Sequence, residues 1–404
     1  MSTVFVGRQP IYITKVSVFA YELLFRSSMV NQADFVDGDL ATARVVMNTF
    51  VEIGIHQLAS DLPIFINATR GFLVKGYLRA LPKERVVLEV LEDIRPDEEI
   101  LEALNDLSSS GYTIALDDFV FHQELLPLVS LADIVKVELP SCNRELLPEH
   151  IRRLREYDVR LLAEKVETHE DFDFCKSVGF DYFQGFFFSK PLIITGQEIP
   201  ASRMAALSLV ARLNSPEVDF DEVESMICME PSLCYKLLRF VNSVVCSPSQ
   251  RIDSIRQAAV MLGLRRIRTF ATLVLMASMS HSKPKELIVV ALTRAKMCEI
   301  LAKVSCHERC DTFFTIGLLS VMDALIDKPM TEVLGLLPLS TEVGDAILHH
   351  AGVLGSALNC VEQYERGHWE RVAFDRLQPR VITDAYIEAT AWASRSAGQL
   401  FSSC

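Results

Sequence analysis

The stretch Thr113-Ile-Ala-Leu-Asp-Asp-Phe119 has the composition of a short, buried β-strand that ends in two carboxylates. Similar apolar runs rich in β-branched residues recur along the first half of the chain, and helix-like segments separate them. Strands that alternate with helices are typical of βα units and a parallel sheet. The number of these units predicts a (β/α) barrel. The other runs lie at residues 63–69, 86–92, 134–139, 160–166 and 182–188, with a further candidate strand at residues 16–24.

Each predicted strand carries a polar residue at or near its C-terminal end. From Asn67 onward these residues follow one another at intervals of 22, 28, 19, 28 and 20 positions, which is close to one βα unit each. The C-terminal ends of barrel strands converge on the mouth where active sites lie. We therefore expect a polar site there. Its candidate residues are Glu22, Asn67, Glu89, Asp117 with Asp118, Lys136, Glu164 and Gln184.

The five carboxylates in this set predict cation binding. Any one of them alone would be a capping or surface group, but a converging acidic cluster cannot stay ionised without positive charge. Oxygen ligands suit Mg²⁺ or Mn²⁺ rather than zinc. Two such ions about 4 Å apart are the usual machinery for phosphodiester hydrolysis. The first half of the chain therefore predicts a two-metal site.

The composition excludes several classes of protein. The chain has 404 residues, half of them hydrophobic, which excludes intrinsic disorder and favours about two domains. The net charge is −13, and residues 1–200 carry 31 Asp and Glu against 19 Lys and Arg. This balance disfavours nucleic acid as a partner, because phosphate contacts need basic residues. We expect a cytoplasmic protein without a membrane partner, since neither a secretion signal nor a membrane-length apolar run occurs and the ten cysteines are scattered.

Seven motifs occur in order within residues 1–192. They are Glu22-Leu-Leu-Phe-Arg26, Phe65-Ile-Asn67, Glu89-Val-Leu-Glu92, Leu116-Asp-Asp-Phe119, Val135-Lys-Val137, Ala163-Glu-Lys-Val-Glu-Thr168 and Gln184-Gly185. In these motifs the region resembles an EAL domain, the bacterial family that hydrolyses the second messenger cyclic di-GMP to linear pGpG. The resemblance implies a TIM-like (β/α) barrel and a cyclic-guanylate-specific phosphodiesterase.

The resemblance also implies a role for each site residue. The two ions, Mg²⁺ or Mn²⁺, would be held by Glu22, Asn67, Glu89, Asp117 and Asp118. The catalytic residues would be Glu164 and Lys136, which position or activate the attacking water, together with Glu167. The substrate cyclic di-GMP would be bound by Arg26, which holds a phosphate, by Gln184, and by Glu92, which anchors the loop after the Asp-Asp strand.

Three departures from the family pattern bear on turnover. The Gly and the small polar loop after D-D-F are replaced by Val120-Phe-His-Gln-Glu124, the Gly of A-E-G-V-E is Lys165, and the acidic residue of K-x-D is Glu138. Cation binding is therefore better supported than hydrolysis. The alternative is a catalytically inactive EAL domain that acts as a cyclic di-GMP receptor or as a protein-interaction scaffold.

The second half is predicted to be helical. Residues 193–202 are a predicted linker, and residues 203–404 resemble an HDOD domain, an all-helical relative of the HD hydrolases. The matching stretches are 229–243, 252–263 and 314–325. The chain contains no His-Asp dipeptide, so the metal dyad of HD hydrolases is missing. The resemblance implies a regulatory or partner-binding module for an unidentified signalling protein, and a homodimer is a further possible assembly.

Overall fold

Eight strands close into a barrel and follow one another around it in chain order. The closed barrel confirms the fold predicted for the first half. The strands are β1 (Phe5–Ile13), β2 (Val18–Arg26), β3 (Ile64–Ala68), β4 (Val86–Val90), β5 (Thr113–Leu116), β6 (Ile134–Glu138), β7 (Arg160–Glu164) and β8 (Tyr182–Gln184). Among the described residues, the helices between them are α1 (Arg70–Lys75), α2 (Glu98–Ser109), α3 (Leu126–Val129), α4 (Leu147–Leu154) and α5 (His169–Val178).

The structure is a computed structural model. It describes residues 5–26, 61–190, 218–229, 231–242, 252–264, 283–337 and 339–402, and the positions 59, 206, 209–210, 212–213, 267–268, 271–272 and 274–275. The chain divides into two units, residues 1–187 and 188–404. The predicted linker at residues 193–202 lies outside the described residues, so its bounds stay a prediction.

The first strand departs from the expected parallel sheet. β1 runs antiparallel to both of its neighbours, β2 and β8, and β2 to β8 are mutually parallel. Only a tight turn joins β1 to β2, with the Val16 amide donating to the Ile13 carbonyl at 2.8 Å. A parallel pair would need a crossover of a dozen or more residues, so this short connection imposes the antiparallel arrangement.

One inward-facing layer of side chains fills the barrel below its mouth. It consists of small and large apolar residues that are at most 4% exposed, namely Ile11, Ala20, Phe65, Val87, Ala115, Ile134 and Leu162. Successive residues of a strand point to opposite faces, so the residues next to these in the sequence point outward, toward the helices. Side-chain caps define where the outer helices begin. Asp97 accepts the Ile100 amide at α2, and Thr168 with Asp171 forms a capping box at α5.

The second unit is helical where the structure describes it. Its helices are α6 (Phe220–Met229), α7 (Pro231–Val241), α8 (Ile255–Leu262), α9 (Lys285–Val304), α10 (Cys310–Leu319), α11 (Met322–Ile326), α12 (Met330–Gly335), α13 (Thr341–His349), α14 (Gly352–Glu365) and α15 (Pro379–Ser402). Among the described residues, no helix combines the length and the apolar character needed to cross a membrane.

A buried cationic side chain ties the central helix α9 to its neighbours. Arg294 is 8% exposed and donates to Glu365 Oε2 at 2.9 Å and to Glu362 Oε1 at 3.1 Å, both on α14. It also donates to the Ser320 hydroxyl at 3.2 Å, just after α10. The crossing of α9 and α10 is close. A Cβ at Gly317 would lie 2.6 Å from backbone atoms of Arg294, so only glycine fits at that crossing.

Candidate functional site

The ammonium group of Lys136 lies at the barrel mouth and contacts four carboxylates. Its Nζ lies 2.6 Å from both Glu89 Oε1 and Asp117 Oδ1, 3.0 Å from Glu164 Oε1, and 3.3 Å from Glu22 Oε2. These side chains come from β2, β4, β6, β7 and the residue just after β5. The strand ends thus bring together the residues that the sequence spaces one βα unit apart.

Burial sets the charge balance of this cluster. The side chain of Lys136 is 1% exposed and that of Glu89 is fully buried. Burial lowers the pKa of Lys136, but the surrounding carboxylates outweigh it and hold that pKa well above its ordinary value. Burial and the neighbouring Glu22 raise the pKa of Glu89 well above its usual range. Burial also raises the pKa of Glu164 to about 8. One ammonium is therefore too little positive charge for the carboxylates around it.

An amide pair connects the cluster to the strand that the sequence analysis missed. Gln184 donates from Nε2 to Glu22 Oε2 at 2.7 Å and to Gln9 Oε1 at 3.0 Å. Gln9 lies on β1 directly opposite Glu22 in the register. Its place in the site was not predicted. The alternation of inward-facing and outward-facing residues along β1 could have indicated it, but Gly7 and Pro10 obscure that alternation.

The donor set fits divalent cations. Asp117, Asp118 and Glu164 each present an oxygen, and these three oxygens lie within 4.8 Å of one another. Three further oxygens are buried and have no hydrogen-bond partner, namely Asn67 Oδ1, Glu89 Oε2 and Glu164 Oε2. An unpartnered buried oxygen is costly unless a cation or water satisfies it. Oxygen atoms alone make up this set, which suits Mg²⁺ or Mn²⁺.

The remaining predicted residues are Glu92, Glu167 and Arg26. Glu92 and Glu167 are exposed and follow β4 and β7. Arg26 ends β2, and its side chain lies outside the part of the structure that is described. Being exposed, Glu92 and Glu167 lie outside the buried cluster around Lys136. The roles assigned to all three residues rest on the family resemblance.

The altered segment after Asp118 is packed against the barrel. The Phe119 amide donates to the Lys136 carbonyl at 2.9 Å. The ring of Phe121 stacks on His150 with centroids 4.9 Å apart, and the Arg153 guanidinium lies 4.5 Å over the same ring. This segment helps to line a cavity of about 350 Å³ whose rim includes Asp118, Glu92 and Glu138. Bulky aromatic contacts thus take the place of the small polar loop of the family pattern.

Gly185 is required for the closing turn of the barrel. It has φ +149°, and a Cβ there would lie 2.0 Å from the Val166 carbonyl oxygen. We expect Gly185→Ala to destabilise the barrel by at least about 2 kcal/mol, because backbone must shift next to Gln184. Chemical denaturation measures the effect. Gly179→Ala is a matched control for positive φ without a clash, since Gly179 has φ +104° and open space around it. Equal losses in the two variants would contradict a role for the close approach.

Two family models match this chain one after the other. The family model of the EAL domain matches residues 39–191, and that of the HDOD domain matches residues 199–328. The cyclic di-GMP phosphodiesterase CdgJ of Vibrio cholerae is 36% identical over 378 residues, which cover 92% of this chain and 87% of that protein. The uncharacterized protein YuxH of Bacillus subtilis is 34% identical over 402 residues, or 96% of this chain and 98% of that protein. A solved EAL domain protein of Listeria monocytogenes is 20% identical with a TM-score of 0.37, covering 46% of this chain and 87% of that one.

Proposed function

This chain belongs to the EAL–HDOD family, and we propose that it is a phosphodiesterase that hydrolyses cyclic di-GMP to linear pGpG. The name of the Vibrio cholerae relative supports the substrate and the reaction. The observation that carries the proposal is the buried cluster at the barrel mouth. There, one ammonium faces four carboxylates while further oxygens lack a partner.

Each residue of the cluster has a proposed task. Glu22, Asn67, Glu89, Asp117 and Asp118 would hold Mg²⁺ or Mn²⁺ ions. When bound, such ions supply Lewis acidity and stabilise charge on the attacking and leaving oxygens of a phosphodiester. Lys136 and Glu164 are in contact at 3.0 Å, and this pair would orient the attacking water and accept its proton. Gln184 fixes Glu22 through its 2.7 Å hydrogen bond.

The other predicted residues would serve substrate binding and catalysis. Arg26 would hold a phosphate of cyclic di-GMP with its guanidinium. Glu167 would complete the catalytic set, and Glu92 would anchor the segment after Asp118, whose carboxylate shares its cavity.

Product analysis tests the reaction. Purified protein incubated with cyclic di-GMP and Mn²⁺ should yield pGpG, separated by chromatography. Glu22→Ala serves as the background, because it removes an oxygen donor that also contacts both Lys136 and Gln184. A yield of pGpG no higher than that of the Glu22→Ala variant would refute the proposal.

The second candidate function is that of a cyclic di-GMP receptor without turnover. The packing of Phe121 on His150 favours it, because a packed aromatic segment stands where the family pattern has a small polar loop. Calorimetry with cyclic di-GMP separates the candidates. Binding without product formation supports the receptor, and no binding at all supports a scaffold.

We assign a regulatory role to the helical domain, with an unidentified signalling protein as its partner and a homodimer as a possible assembly. Its lack of a His-Asp dyad supports a role outside hydrolysis. Turnover or affinity for cyclic di-GMP should then differ severalfold between the full chain and a folded 1–192 fragment, since coupling between sites is a free-energy difference. Equal values would mean that the two domains are only tethered.

A further inference from the structure

Lys165 follows the proposed catalytic residue Glu164 and has an unusual backbone conformation. Its φ is +54°, in the left-handed region where glycine is favoured. The backbone around it is fixed. The Val166 amide donates to the Gln184 carbonyl at 2.9 Å, and Gly185 packs directly on Val166. A lysine at this position therefore retains a conformational cost that glycine would avoid, which indicates that the side chain has a role.

The side chain of Lys165 forms an ion pair with Glu138, the last residue of β6. In the strand register Glu138 lies directly beside Glu164. Its other carboxylate oxygen, Oε2, accepts a hydrogen bond from the Ser141 hydroxyl. Glu138 is the more enclosed partner, with a side chain 19% exposed against 61% for Lys165. The two residues that depart from the family pattern at the strand ends are thus partners of one another.

This ion pair adjoins the proposed cation ligands. Glu138 and Asp118 line the same cavity at the mouth. The Lys165 ammonium also interacts electrostatically with Asp118. Without Lys165, Glu138 would add one more uncompensated carboxylate beside a cluster that already has an excess of them.

We propose that Lys165 and Glu138 act as a charge-balanced pair that sets how strongly the mouth attracts cations relative to the anionic substrate. The inference rests on the proposed function, because the substrate in question is a cyclic dinucleotide with two phosphate charges. Lys165 is a positioning residue here. It repels divalent cations and attracts phosphate, whereas Glu138 has the opposite effect on each.

A single substitution that removes one charge should therefore move the affinity for Mn²⁺ and the apparent affinity for cyclic di-GMP in opposite directions, so that Mn²⁺ affinity and KM rise or fall together. We expect Lys165→Gln to raise the Mn²⁺ affinity of the substrate-free full-length protein about threefold to tenfold, and to raise KM for cyclic di-GMP by a similar factor. Glu138→Gln should lower both the Mn²⁺ affinity and KM. The double variant should return both quantities to within about twofold of the wild type. Calorimetry gives the Mn²⁺ affinity without any need for turnover.

Two controls separate this effect from a loss of structure. Lys165→Arg keeps the charge and should leave both quantities nearly unchanged. Lys176→Gln removes an exposed charge from α5, away from the strand ends, and should have no effect. Equal losses of Mn²⁺ affinity in Lys165→Gln and Glu138→Gln, or no change in either, would overturn the inference. A wild-type protein that binds Mn²⁺ without hydrolysing or binding cyclic di-GMP would refute the proposed function alone, and the Mn²⁺ affinities would still decide the role of Lys165.

Discussion

Replacement of Lys136 by methionine is expected to lower the turnover of cyclic di-GMP about a thousandfold, within the range that a positioned acid or base contributes. The methionine keeps the length and apolar stem of the side chain but removes the ammonium that contacts Glu89, Asp117 and Glu164. The initial rate of pGpG formation at saturating Mn²⁺ measures the effect. Lys83→Met, which removes an exposed ammonium that donates to the backbone carbonyl of Ser110, should retain the wild-type rate.

The same substitution should also change the stability of the barrel in a way that depends on metal. Removal of one partner from a buried charge cluster costs about 3–5 kcal/mol, because the remaining charges are left without compensation. Divalent cations supply positive charge to the same carboxylates, so Mn²⁺ should recover a larger part of the unfolding free energy in Lys136→Met than in the wild type. Denaturant titrations with and without Mn²⁺ measure this difference. An equal gain from Mn²⁺ in both proteins would contradict the view that Lys136 is the counter-charge of the cluster.

The spacing of polar residues predicted the composition of this cluster but not its contacts. A parallel strand places its C-terminal end at one edge of the sheet, so Glu89, Asp117 and Glu164 could be assigned to the same mouth from their intervals alone. Which oxygen faces the Lys136 ammonium depends on register and rotamers. Likewise, the ion pair of Lys165 with Glu138 joins two strand ends 27 residues apart, and no local sequence pattern relates them.

The first strand is a case in which the alternation of polar and apolar residues does not predict a strand. β1 contains Gly7, Arg8 and Pro10, which weaken the appearance of a strand, and the antiparallel partner β2 follows after a turn of only a few residues. The predicted strand at residues 16–24 overlaps β2, whereas β1 was not predicted. Gln9 was therefore not predicted as a site residue, although its side chain accepts a hydrogen bond from the buried amide of Gln184. The predicted strand at 182–188 is also too long, because Gly185 turns the chain at the close contact with Val166.

In the helical unit, Arg294→Met is expected to lower the free energy of unfolding by about 3–5 kcal/mol. The substitution leaves Glu362 and Glu365, which are 14% and 11% exposed, without their guanidinium partner. Burial already raises the pKa of Glu365 despite the opposing influence of Arg294. Glu362 keeps a second partner, since His350 Nε2 lies 3.3 Å from its Oε2. We therefore expect Glu365 to take up a proton in the variant.

An exposed ion pair in the same unit tests whether burial of the charges, rather than the ion pair itself, causes this loss of stability. Arg309 and Glu342 are also in contact, at 2.8 Å, but their side chains are 57% and 51% exposed. Arg309→Met should cost no more than about 1 kcal/mol, because water replaces the lost partner of an exposed carboxylate. Chemical denaturation followed by circular dichroism measures both variants. The further substitution Glu365→Gln should recover part of the loss in Arg294→Met, since it removes the buried charge that the first change leaves unpaired. Equal losses for Arg294→Met and Arg309→Met would mean that the buried guanidinium contributes no more to stability than a surface ion pair does.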